Sequence, residues 1–283
     1  MAAEKALALV IRGMDWSETS RIVTLFTREF GKVRALAKGG RRLKSNFDVA
    51  FDLLNVCHVM FLRKAHGGLD LLTEAQAEER FPILRNDLHA LYAGYYIAEL
   101  LADGTQDYDP HPDLFDAALG TLRGLGKNPS PQPPPRSGEG EQVRTPKGSA
   151  PPSLLGKGAG GLGHQDPRDA IISFELVWLR ELGYSPRLDA CSACGADVVP
   201  PGISRVFISP LSGGALCPNC GPNAPDRRAL TLPAWHALLG LEGLGPPRDV
   251  SGVRGELRGL FGQMVSFVLG RRPRMLSYLE DTR

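Results

Sequence analysis

What this 283-residue sequence lacks narrows its function before any motif is read. It has no apolar run long enough to span a bilayer. Its opening, MAAEKALALVIRG, has Lys5 ahead of only a short apolar segment that alternates like a strand. That is not the layout of a secretory leader, so the expectation is a cytoplasmic protein with no membrane association. Cysteine is scarce: five residues are too few for a disulfide scaffold in a chain this long. No GxxxxGK[ST] loop is present to hold nucleotide phosphates. No Ser/His/Asp grouping or pair of carboxylates stands out for hydrolytic work. No His-x-Glu precedes the cysteines, as a zinc deaminase would need. The expectation is a protein that is not an enzyme.

What is present reads as globular, with 42% hydrophobic and 23% charged residues, and the net charge of +2 hides a marked split. From Arg28 to Lys44 there are seven basic residues (Arg28, Lys32, Arg34, Lys38, Arg41, Arg42, Lys44) against one acid, Glu29. From Ala65 to Gly126 eleven acids face three bases, a net of −8. A charge run is usually just a solvated face. Here, though, the basic run sits on RIVTLFT and KVRALAK, two strand-like segments joined at Gly31, and on the Gly39-Gly40 loop that follows. Such a ribbon can follow a phosphate backbone without reading bases. The candidate DNA contacts are Arg21, Arg28, Lys32, Arg34, Lys38, Arg41, Arg42 and Lys44. The acidic helices, by contrast, suit scaffold or protein contact.

Strand signals continue through ALALVIR at the start, Asp52–Leu62 and Gly68–Glu74, giving five strands within residues 1–80. That count, with Gly-rich turns, predicts a small closed barrel of the OB type. Trp16, Phe30 and Phe47 are candidate base-stacking platforms, with core packing as the plain alternative for each; Phe26, Phe51 and Phe61 read as core. Cys57 reads as a small buried residue.

From Phe81 the period becomes helical, with Leu84, Leu88, Leu91, Tyr92 and Tyr95 in phase, and a second helix is expected over about Pro112–Leu125. Residues 127–165, rich in Pro, Gly and Ser, predict a flexible insertion that interrupts the helical domain formed by 81–126 and 166–190. Asp166-Pro167 opens a helix that ends at Gly183. Two more helices are expected in 226–283, one capped by Thr231 and one over about Val253–Leu269. The cations of Gly270-Arg-Arg-Pro-Arg274 then offset the helix dipole or add a second DNA contact.

Between these lies the sharpest motif, in an element spanning 191–225. Cys191-Ser-Ala-Cys194-Gly is followed by Cys217-Pro-Asn-Cys220-Gly, with 22 residues between Cys194 and Cys217. Two CxxC turns bring four thiolates to one tetrahedral ion, a closed site that is structural rather than catalytic. Cys191, Cys194, Cys217 and Cys220 are therefore expected to hold one Zn2+, with a redox dithiol pair or an iron–sulfur cluster as rivals. His164 and His236 lack ligand spacing to the quartet.

In this order the motifs resemble a known family. Ser17–Val23 (SETSRIV), Leu25–Val33 (LFTREFGKV) and Ala37–Arg42 (AKGGRR), then Phe174-Glu175-Leu176 through Leu182-Gly183-Tyr184-Ser185-Pro186 into the quartet with Gly213-Gly214 between its halves, are similar to RecO, the bacterial recombination mediator of DNA repair. The resemblance covers essentially the whole chain except the insertion. It implies an α+β protein: an N-terminal OB-fold β-barrel followed by an α-helical domain with an embedded four-cysteine zinc-binding element. It further implies binding of single- and double-stranded DNA, annealing of complementary strands, and work with RecR to load the RecA recombinase onto strands coated by single-stranded-DNA-binding protein, in a nucleoid-associated setting. The alternative reading is a zinc-stabilised protein–protein adaptor that touches DNA incidentally.

Overall fold

Period-two alternation of apolar residues governs the first eighty positions, and it produces a barrel. The computed structural model describes residues 2–40, 47, 51–64, 68–125 and 167–280. Strands β1 (Ala2–Asp15), β2 (Arg21–Thr27), β3 (Gly31–Ala37), β4 (Val56–Arg63) and β5 (Asp70–Glu79) close in the order β1-β2-β3-β5-β4. Every pairing is antiparallel except β3 with β5, as an OB barrel requires. β1 is long enough to serve two neighbours: residues 2–9 pair with β4 and 8–15 with β2, with a register shift between Val10 and Arg12. The inward set, including Ala8, Val10, Val23, Leu25, Val33, Ala35, Phe61 and Leu72, fills the barrel core.

Three expectations need adjustment. β4 begins at Val56 rather than at Asp52, because Leu54 adopts a left-handed φ of 72° and breaks the extended run. Its side chain turns instead into the helical core, over Gly94, where a Cβ would meet Leu54 Cδ1 at 2.6 Å. β5 runs on to Glu79, beyond the expected Glu74. Phe30 and Phe47 pack inward: half-buried Phe30 lies edge-on against Phe61 at the rim of the barrel core, and Phe47 is buried and stacked with Phe51.

Among the described residues, six α-helices make up the second domain. Asp87 caps α1 (Leu88–Gly104) by accepting from the backbone N–H groups of His89 and Ala90. α2 (Pro112–Leu125) and α3 (Pro167–Glu181) pack together although residues 126–166 separate them in sequence; the expected flexible insertion lies outside the described residues. Thr231 caps α4 (Leu232–Leu241), and α5 (Arg254–Leu269) ends at Gly270 in the left-handed conformation. The short α6 (Leu276–Glu280), with no counterpart in the sequence reading, returns to α1, where Tyr278 packs against Tyr92. Arg271 reaches Glu99 and Asp103 of α1, so this cation of the 270–274 run ties the C-terminal segment to α1.

The interior holds a polar cluster that apolar periodicity does not announce. Glu175 of α3, fully buried, accepts from the Tyr96 hydroxyl of α1 at 2.6 Å and from Arg258 Nη1 of α5 at 2.5 Å. Burial, and next to it the carboxylate of Glu175, pushes the Tyr96 hydroxyl far above its ordinary pKa, so it stays a donor. The cluster thus joins three helices. A three-stranded sheet, β6 (Arg205–Ser209), β7 (Gly214–Leu216) and β8 (Arg228–Thr231) in the order β7-β6-β8, carries the cysteine element. Among the described residues no helix is long and apolar enough to cross a membrane.

Candidate nucleic-acid face and metal centre

The basic ribbon meets the acidic helical segment within the same molecule. Arg28, in the β2–β3 turn, makes a two-pronged contact with Asp116 of α2, both bonds 3.0 Å, and that carboxylate raises its already high pKa. Arg34 of β3 grips Asp107 at 2.7–2.9 Å. Lys32 goes further inward. Its side chain is 12% exposed and its Nζ donates to the carbonyls of Ala102 and Thr105 at 2.7 and 2.6 Å, the last turn of α1. A cation placed there satisfies orphan carbonyls and complements the helix dipole. Burial lowers its pKa, with Asp107 opposing. Lys32, one of the expected phosphate contacts, thus points its ammonium at the helical domain.

The backbone explains why these groups meet. Gly31 takes φ +67°, and a Cβ there would strike the Asp109 carbonyl oxygen at 1.9 Å, so only glycine lets the turn seat against the 105–110 loop. That loop pairs alongside β3, with Tyr108 N–H donating to Lys32 O at 2.9 Å. Tyr108, at φ 61°, packs against the barrel core and its hydroxyl donates to Asp70 of β5, while the Arg63 guanidinium lies 4.0 Å above its ring. Residues 105–109 thereby fill the gap where β3 and β5 part. The signal was legible in part: acids at 103, 107, 109, 113 and 116 are the complement of bases at 28, 32 and 34.

At the other end of β3 the surface is open among the described residues. Lys38 is exposed and has no side-chain partner among the described residues. Arg21, directly opposite Ala37 in the register, pairs with Asp15 at 2.9 Å on the surface. Trp16 stands beside it in the β1–β2 loop, 63% exposed. Arg41, Arg42 and Lys44 lie outside the described residues. The structure therefore divides the predicted contacts: Arg28, Lys32 and Arg34 engage the helical domain, and Arg21 and Lys38 remain at the open end.

The cysteine quartet assembles as its spacing predicts. The four Sγ atoms of Cys191, Cys194, Cys217 and Cys220 lie within 4.8 Å of one another, and Cys194 and Cys217 are 3.7 Å apart. A tetrahedron with ligand bonds of about 2.3 Å has sulfur–sulfur edges of about 3.8 Å, so the set fits one thiolate-bound ion. Gly195, at φ +75°, gives the first turn its bend, with its N–H donating to Cys191 O at 2.8 Å. Gly221 does something different: a Cβ there would meet the Phe207 ring at 2.3 Å, so it allows close approach to β6. Burial would raise the Cys191 thiol, but N–H groups of Cys217, Cys194 and Ala193 directed at it bring it down to about 6. Cys220, sharing hydrogen bonds with Cys194 and Cys217, is pushed up to about 12, the crowding that a cation would relieve. Cys57 stands apart, buried in the barrel with its thiol raised to about 12 by burial.

Comparison with known proteins agrees with both halves. The family model for Recombination protein O N terminal matches residues 1–81, and that for Recombination protein O C terminal matches 85–139 and 161–275. A protein of Rhodopirellula baltica called DNA repair protein RecO is 32% identical over 305 residues, covering 97% of this chain and 98% of that protein. A namesake from a Roseiflexus species is 31% identical, covering 98% and 84%. Another from Myxococcus xanthus is 29% identical, covering 96% and 95%. On this evidence the chain belongs to the RecO family.

Proposed function

We propose that the chain is a DNA repair and homologous-recombination mediator. In this reading it binds single- and double-stranded DNA, anneals complementary strands and, with RecR, helps load RecA onto strands coated by single-stranded-DNA-binding protein. It acts in the cytoplasm, at the nucleoid. The observation that carries the proposal is family membership across both domains, joined to an OB barrel whose open end displays Lys38 and Arg21. Arg41, Arg42 and Lys44 follow Lys38 after Gly39-Gly40 in sequence and extend the same cationic run. These side chains would neutralise phosphates of either strand, releasing counterions and holding two strands close while base pairing drives annealing. No step of this scheme consumes a nucleotide. The quartet holds one structural Zn2+ in this proposal; bound there, the ion would staple the β6–β7 hairpin to the 187–196 loop and leave no ligand position open for chemistry.

The engagement of Arg28, Lys32 and Arg34 with acids of the helical domain, inward for Lys32 and on the surface for the two arginines, gives a rival reading its footing: a zinc-stabilised adaptor of repair proteins with only incidental DNA contact. Salt titration separates the two. Charge reversal of Lys38, Arg41 and Arg42 should cut affinity for both DNA forms and reduce the salt slope on single strands by about 2, at roughly 0.7 per phosphate contact. Unchanged binding and slope would favour the adaptor.

A further inference from the structure

The seam between the barrel and the acidic helical segment has two parts that differ in exposure. Its inner part is fixed: the largely buried Lys32 caps α1, Gly31 abuts Asp109, and Tyr108 packs on the barrel core. Its rim is wet. Arg28 and Asp116 are 48% and 53% exposed, and Arg34 and Asp107 are 57% and 38% exposed. Exposed pairs of this kind add little to stability and are screened by salt. Arg12 and Asp103 make a third pair across the seam, but Asp103 also holds Arg271 and so serves the C-terminal segment as well.

Both rim arginines belong to the basic run. Arg34 points outward from β3, because its chain neighbours Val33 and Ala35 fill the barrel core. Exposed Lys38 follows it by four residues, about 13 Å of extended chain. Arg28 donates from Nε and Nη2 to the two carboxylate oxygens of Asp116, the fork by which a guanidinium also grips a phosphate. Arg34 turns the same two nitrogens on Oδ2 of Asp107. A carboxylate and a phosphate cannot hold the same donors at once.

We propose that Asp107 and Asp116 stand in for DNA phosphates within the molecule: they occupy Arg34 and Arg28 and keep this half of the basic ribbon closed to nucleic acid. The inference rests on the DNA-binding reading above and adds a restraint to it. With the rim closed, a strand meets the open end at Arg21 and Lys38 and is held by fewer cations than the run carries. Because the rim pairs are exposed and the inner seam is not, the two arginines can be freed without parting the domains. Pairs that served only to join the domains would act on stability and leave the number of phosphate contacts as it is.

The test uses the full chain carrying Asp107→Asn with Asp116→Asn, and separately Asp116→Asn alone, an exposed helix position that tolerates the change. A control, Glu74→Gln with Asp113→Asn, removes the same two charges from exposed positions that make no ion pair with the ribbon among the described residues. Fluorescence anisotropy would follow labelled oligo(dT) across a salt series, with thermal midpoints recorded for each variant. Freeing both arginines should tighten binding about tenfold and steepen the salt slope by about 1.4, at roughly 0.7 per phosphate contact; Asp116→Asn alone should give about half that steepening. The control should keep the wild-type slope. An unchanged slope in the double variant would overturn the proposal, and a lowered midpoint beside it would assign the pairs to joining the domains. Equal steepening in the control would overturn it as well, by showing a bulk charge effect. Wild type that binds no DNA would overturn the DNA-binding reading itself, and this inference with it.

Discussion

Replacing Lys32 by Met keeps the aliphatic stem and removes the ammonium that caps α1. The carbonyls of Ala102 and Thr105 then lose a donor 2.7 and 2.6 Å away, in a contact where the side chain is only 12% exposed. Hydrogen bonds to charged groups contribute about 1.5–3 kcal/mol each, and the desolvation of the ammonium offsets part of that. The expected loss is therefore about 2–4 kcal/mol, a fall in thermal midpoint on the order of 10 °C for a chain of this size. Differential scanning calorimetry would measure it, with anisotropy against oligo(dT) at several salt concentrations beside it. Because Lys32 faces the helical domain, the salt slope should stay at the wild-type value. An unchanged midpoint together with a slope reduced by about 0.7 would show Lys32 on a phosphate and refute the inward docking.

Other consequences are as direct. Glu175→Gln leaves Arg258 buried without its carboxylate and should cost about 3–5 kcal/mol in chemical denaturation; a change below about 1 kcal/mol would mean the cluster is not coupled as described. Chelation should release zinc, lower the midpoint of the helical domain and open Cys191, Cys194, Cys217 and Cys220 to iodoacetamide, while Cys57 stays unlabelled until the chain unfolds; stability indifferent to chelator would contradict the metal assignment. Cys57 also predicts a pH effect. Its thiol is raised from 9.0 to about 12 in the folded protein, so its contribution to stability is complete below pH 9 and declines as pH climbs toward 12. Cys57→Ala should flatten stability over that window, and an undiminished decline would assign the effect elsewhere.

Much of this was legible because strand and helix periods survive in the sequence. KVRALAK alternates cleanly, and β3 follows it almost residue for residue. The CxxC pairs needed no fold to be read, since ligand geometry is local. RIVTLFT was different: apolar on both faces, it marks a strand without saying which face meets the barrel core. Leu54 leaves the fourth strand through a left-handed conformation, which no propensity signals for leucine. Glu175 sits in a helix whose turn looks solvated until Tyr96 and Arg258 arrive from 79 and 83 residues away. The docking of Arg28, Lys32 and Arg34 on the acidic segment was hidden likewise. Both charge runs were visible, but a run does not state whether its counterions are phosphates or the chain's own carboxylates.

The most direct measurement of the central claim is annealing of complementary strands already coated with single-stranded-DNA-binding protein, without nucleotide. Wild type would be set beside the Lys38→Glu, Arg41→Glu, Arg42→Glu variant. The account predicts that wild type anneals and the variant does not. Equal annealing by both would move the DNA site away from the open end of the ribbon, and annealing by neither would contradict the mediator assignment.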